Sequence, residues 1–141
     1  MKKVLVIFIA LMALSACCKA QAADFTCTQM KKEEAWFLKH MPLKIDKHTK
    51  LVGVKVDCDN RLISYEQRAS YYDANFQPMY LPKNFEEVVQ LNYLKQTCTA
   101  NGLPFKGWSL INTTHLISHY RDIVTISNKQ MCKTYLKYNG K

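Results

Sequence analysis

The sequence predicts an α+β domain: a four-stranded, mainly antiparallel sheet with helices packed on one face, in the order α-β-β-α-β-β-(α). Three observations carry this expectation. Two blocks of apolar residues at helical spacing stop at Pro42 and at Asn101-Gly102; extended runs rich in β-branched residues come in pairs; and Cys27, Cys58, Cys98 and Cys132 fall at or near the ends of these blocks.

Ahead of the domain, Met1-Lys2-Lys3 leads into an apolar run over residues 4–14 and a small-residue exit, Ser15-Ala16-Cys17-Cys18-Lys19-Ala20-Gln21-Ala22. A basic start, about a dozen apolar residues and small residues at the exit are the parts of a bacterial-type export signal. Such a run is too short for a stable anchor, which needs roughly 20 residues. Two cleavage sites compete. Leu14-Ser15-Ala16-Cys17 resembles a lipobox, which would make Cys17 an acylated N-terminus and tether the protein to the membrane; Ala20-Gln21-Ala22 fits ordinary signal peptidase and would release a soluble protein into the periplasm. Residues 1–22 are thus read as a signal peptide, or 1–16 as a lipoprotein signal, and 23–141 as one domain. Removing 22 of 141 residues leaves 119, enough for a single core.

The elements follow in order. Thr26-Cys27-Thr28-Gln29 has the capping-box pattern, and Cys27, Met30, Phe37 and Met41 continue at helical spacing, predicting a helix near 27–40. From 51 to 58 the chain alternates, with Val52, Val54, Val56 and Cys58 expected on one face of a half-buried strand. Asp57-Cys58-Asp59-Asn60 supplies a turn, and 62–72 is extended again, so the two runs read as a hairpin. Pro78 and Pro82 interrupt the next stretch. Asn84-Phe85-Glu86-Glu87 then offers an N-cap with an acidic first turn, opening a helix over roughly 85–99. Residues 108–114 and 123–127 are β-like and read as a second hairpin whose turn has neither glycine nor proline to mark it. A short last helix is expected from Ser127 or Asn128 to Tyr138.

Composition narrows the partners. After loss of the signal, 17 Lys and Arg face 11 Asp and Glu, so the mature chain carries +6 and favours anionic neighbours such as lipid headgroups, acidic glycans or an acidic protein. Nucleic acid is not expected for an exported chain. Lys129, Lys133, Lys137 and Lys141 recur every four residues and would share one helical face.

Export makes the four cysteines disulfide candidates. Pairing Cys27 with Cys58 and Cys98 with Cys132 would pin each helix to the hairpin beside it, each loop contributing roughly 3 to 4 kcal/mol. The other two pairings of four cysteines stay open. Successive cysteines are more than thirty positions apart, which disfavours a zinc site and a redox C-x-x-C alike. His115 and His119 have the i, i+4 spacing of a helical metal pair but fall in a β-like region, so no metal and no cofactor is expected. No catalytic motif occurs; Glu33-Glu34 and Glu86-Glu87 read as helix-dipole acids, and an enzyme is not expected. Tyr65 with Tyr71, or Tyr72 with Tyr80, could form a carbohydrate or peptide platform.

Met41-Pro42-Leu43-Lys44-Ile45-Asp46-Lys47-His48-Thr49-Lys50-Leu51 before a hairpin, a helix ending at Cys98, then Gly107, a hairpin and Cys132 resemble a group of small exported bacterial proteins without an established function. Their pattern is L-P-x3-D-x2-T-x-L, followed by a helix ending in cysteine, a glycine-led hairpin and a last cysteine, and it spans about residues 37–132. From the second helix to Cys132 the chain is also similar to the α/β pilotin lipoproteins of type II secretion. That resemblance implies a Cys98–Cys132 disulfide and a groove near the sheet for a helical secretin segment. The expected role is a non-enzymatic envelope protein that binds another envelope protein, as an assembly factor or in pilotin fashion. An inhibitor or immunity protein against a periplasmic toxin or hydrolase, and a binder of anionic lipid or glycan, are the alternatives.

Overall fold

The computed structural model describes residues 26–139. The export segment, with Cys17, both cleavage sites and the domain start at 23, and also Lys141, lies outside the described residues.

Helix α1 covers residues 26–40 and stops just before Pro42, whose peptide bond with Met41 is cis. Strands β1 (Leu43–Lys44), β2 (Thr49–Asp57) and β3 (Leu62–Ala69) follow, then helix α2 (Phe85–Thr97), a 3-10 turn at Leu103–Lys106, β4 (Ser109–Leu116), a 3-10 turn at Ile117–His119, β5 (Arg121–Ser127) and helix α3 (Lys129–Asn139). The five strands form one sheet in the order β1-β2-β3-β4-β5.

Two features correct the expected four-stranded antiparallel sheet. β1 is an added edge strand of two residues, pairing Leu43 with Leu51 and Lys44 with Lys50, too short to show any periodicity. The central pair β3–β4 is parallel, Ile63 lying beside Leu110 and Ala69 beside Leu116, so the two antiparallel hairpins are joined side by side through a crossover that contains α2.

Alternation sorts the sheet into an inner and an outer face. Leu51, Val54, Val56, Ile63 and Leu110 point inward and pack with Trp108 against Met30 and Phe37 of α1 and Tyr93 of α2. Further along, Ala69, Leu116 and Ile123 meet Phe85 and Val89 of α2. Both helices therefore cover the same face. The expected inward row of Val52, Val54, Val56 is broken by a bulge between Leu51 and Gly53, which leaves Val52 unpaired and places it with Lys50 and Arg68 on the outer side.

Local chemistry explains the joints. Asp46 Oδ1 accepts the backbone N–H groups of His48 (2.7 Å) and Thr49 (2.8 Å), which turns β1 into β2 and holds the Asp46 carboxyl below its ordinary range. This is the physical content of the D-x2-T part of the motif. At α2, Asn84 sits at the N-cap without a side-chain cap bond; its carbonyl accepts from Val88, and Glu86 pairs with Arg121 at 3.2 Å. Gly102 is required by space, since a Cβ there would lie 2.4 Å from the Thr97 carbonyl oxygen, whereas Gly107 is required by conformation at φ 87°. The turn between β4 and β5 uses Tyr120 at φ 50°, a left-handed position that glycine would normally mark. Asn128 Oδ1 caps α3 by accepting from Met131 N at 2.9 Å.

Disulfides join Cys27 to Cys58 and Cys98 to Cys132, with Cα separations of 5.7 and 5.1 Å. The first ties α1 to the end of β2. The second is buried among Leu94, Phe105, Met131 and Tyr135, where Ser127 Oγ also accepts a 2.7 Å hydrogen bond from Thr97 Oγ1.

Replacing Cys98 and Cys132 together by serine removes a loop constraint of 34 residues and is expected to lower the unfolding free energy by about 3 to 4 kcal/mol. Urea unfolding followed by tryptophan fluorescence measures this, and an unchanged midpoint would show that the second bridge is dispensable.

Candidate functional site

Three surfaces of the fold bring chemistry together. The first is the outer face of the sheet. His115 on β4 stands between Glu66 on β3 and Asp122 on β5, its Nδ1 2.7 Å from Asp122 Oδ1 and its Nε2 2.8 Å from Glu66 Oε1. The register puts them there: Asp122 is the cross-strand partner of His115, and Glu66 is paired with the neighbouring Thr113. The hydrogen bond to Asp122, then that to Glu66, raises the imidazole pKa above its ordinary 6.5. Both ring nitrogens face carboxylates, so the cluster is an ion-pair bridge across three strands. His119, the other member of the sequence pair, is separate from it, in the 3-10 turn, with contacts to Ser118 Oγ and the Met79 carbonyl. Among the described residues no group of three or more His, Cys, Asp or Glu is arranged to hold a metal ion.

A second surface lies between α2 and α3. Leu91, Leu94, Met131, Thr134, Tyr135 and Tyr138 line a groove of about 310 Å³ whose walls are almost wholly apolar. Leu91 and Tyr138 are exposed, at 42% and 72%. At 100° per residue, Lys129, Lys133 and Lys137 share one stripe of α3, turned well away from the side of Met131, Tyr135 and Tyr138 that lines the groove. The lysine spacing is visible in the sequence; the apolar floor is not, because Leu91 and Leu94 come from α2 and the rest from α3.

The third is a cleft between α2 and the inner face of the sheet, about 370 Å³ in volume. Gln67, Asn112, Thr114 and Thr125 enter it from the strands; Tyr93, Asn92 and Gln96 from the helix; and Tyr71 and Phe85 close one side. Burial, and then the nearby Tyr65, push the Tyr93 phenol well above the ordinary value of 10, so the hydroxyl keeps its proton. Of the expected tyrosine pairs, Tyr65 and Tyr71 pack against the core clusters, while Tyr72 and Tyr80 are exposed on the loop before α2. Nothing in the sequence singled out Asn112, a polar residue at an inward strand position.

No protein-family model matches the chain, nor does any curated protein. Among solved structures, the fold is similar to that of a protein of Pseudomonas aeruginosa presumed to be secreted, with a TM-score of 0.55 and 15% identity over 78% of this chain and 96% of the other. At that identity the likeness is one of fold. It supports the α+β architecture and carries neither the L-P-x3-D-x2-T-x-L group nor the pilotin resemblance beyond the motifs themselves. None of the helices among the described residues is long and apolar enough to cross a membrane.

A histidine whose folded pKa is raised stabilises the fold fully below its unfolded value and loses that contribution as pH rises through the folded value. The His115 bridge is therefore expected to contribute fully below pH 6.5 and to weaken as the pH rises through the raised folded value. Imidazole NMR should give a His115 midpoint above 6.5 that falls toward it in Asp122→Asn and further in the double variant with Glu66→Gln. A wild-type midpoint at or below 6.5 would contradict the bridge.

Proposed function

We propose that the protein is an exported, non-enzymatic envelope protein that binds another envelope protein, as an assembly factor does, in the groove between α2 and α3. The observation that carries this reading is the apolar floor of that groove. An exposed apolar surface rimmed by polar residues is the usual mark of a docking site. Its partner is an amphipathic helix: apolar residues at i, i+3 and i+4 would sit between Leu91 and Tyr135. The sequence resemblance to pilotins, which implies a groove near the sheet for a helical segment, supports a helical partner.

Two disulfides support the compartment, because bridges of this kind persist in oxidising spaces and are rare in the cytosol. The export signal agrees with it. Tethering through a lipid on Cys17 would place the groove at the membrane surface, whereas cleavage after Ala22 would leave it free in the periplasm.

A photoreactive phenylalanine analogue at Tyr138, with a control at Asn75 in the exposed loop, tests the assignment in living cells. One discrete envelope-protein adduct is expected from position 138 and none from 75, falling about tenfold or more when the exposed floor residue Leu91 is changed to glutamate. Equal labelling from both positions, or an adduct indifferent to Leu91→Glu, would overturn the groove; an adduct with a hydrolase or toxin would identify the inhibitor role instead.

A further inference from the structure

The outer face of the sheet carries a row of like charges. Register sets Lys44 of β1 opposite Lys50 of β2, and Lys50 opposite Arg68 of β3. Alternation turns all three outward, because Leu43, Leu51 and Ala69, their neighbours along the strands, pack against the core. Residues opposite one another on adjacent strands are about 5 Å apart, and like charges in such positions destabilise a sheet. The same row continues through His115 of β4 to Asp122 of β5, where the imidazole has two carboxylates beside it. At the β1 end none of the three cations has an ion pair with any described residue.

These cations line a pocket of about 460 Å³, to which the turn between β1 and β2 adds Lys47 and Asp46. All four cationic side chains belong to exposed residues, so a solute reaches them. Asp46 directs its Oδ1 to the backbone N–H groups of His48 and Thr49 and pairs with none of the four. That lining selects a compact polyanion. A carboxylate brings a single charge, whereas a phosphate monoester carries about −1.5 to −2 near neutrality and three acceptor oxygens. The planar fork of the Arg68 guanidinium matches two of those oxygens, and lysine ammonium groups on flexible stems have the reach to close on the third. A single water has a share of about 30 Å³, so the pocket has room for the phosphate together with the glycerol-sized or sugar-sized group that bears it.

We propose that this pocket, at the β1 end of the outer face, binds a phosphate monoester held by Lys44, Lys47, Lys50 and Arg68. The ligand places negative charge within a row of cations and so offsets a repulsion that the strand register builds into the sheet. The site shares no residue with the α2–α3 groove and is independent of it.

Titration of the disulfide-bonded, 15N-labelled mature protein with glycerol phosphate tests it, with glycerol and acetate as contrasts. Saturable shifts of the Arg68 Nε–H and of the Lys50 backbone amide are expected with the phosphate ester. Affinity should fall about tenfold or more in the double variant Lys50→Gln, Arg68→Gln, and should be unchanged in Lys133→Gln on α3. Flotation with phosphatidylcholine vesicles containing phosphatidate separates the two sources of such a group. Co-flotation that the double variant loses assigns the phosphate to a lipid headgroup; a response to glycerol phosphate without co-flotation assigns it to a soluble ester, and either result supports the site. No saturable shift at tens of millimolar ester, acetate binding of equal affinity, or undiminished binding by the folded double variant would each overturn the proposal.

Discussion

The parallel pairing of β3 with β4 is the constraint from which the rest of the architecture follows. Two parallel neighbours cannot be joined by a tight turn, because the chain must return to the start of the first strand before the second can run beside it. Residues between Ala69 and Ser109 make that return, and α2 is the part of it laid across the sheet. Everything on the inner side depends on this path: the contacts of Phe85, Val89 and Tyr93 with the sheet, the cleft over Asn112, and the meeting of Cys98 with Cys132 once β5 has brought α3 alongside.

Helix side chains also manage the sheet edges. At one edge Glu34 of α1 accepts the Val56 N–H of β2 at 2.8 Å, beyond the reach of the two-residue β1. At the other, the Gln90 amide of α2 donates to the Ile126 carbonyl at 2.7 Å and accepts its N–H at 3.0 Å, imitating one residue of a neighbouring strand. Unpaired edges are templates for association between chains. Burial raises the Glu34 carboxyl, but the hydrogen bonds from Lys31 and Val56 outweigh it and leave the group below its ordinary value, so it stays an ionised acceptor.

Much of the site that could be read from residues alone concerned charge, and the structure divides that charge unevenly. Lysines every four residues mark α3, as helical spacing requires, and the outer face mixes Lys50, Lys55 and Arg68 with Glu66 and Asp122. The α2 cleft is nearly neutral. Composition could not separate these surfaces, since it sums over all of them. His115 and His119 show the same limit: their spacing suggested a shared face, but the 3-10 turn at Ile117–His119 parts them, and the neighbours of His115 come from 49 residues before it and 7 after.

By itself the sequence determined what depends on near neighbours: two long helices, two hairpins built from β-branched runs, and a short third helix opening at Ser127 or Asn128. These are decided by backbone propensity, side-chain period and local hydrogen bonds, all of which act within a few residues. Tertiary structure alone decided the parallel junction of the hairpins, the added strand β1, the bulge that turns Val52 outward, and the cleft that Asn112 and Tyr93 both line. Each of these compares distant segments for the same burial or the same hydrogen bond, and the outcome is set by packing that no local window contains.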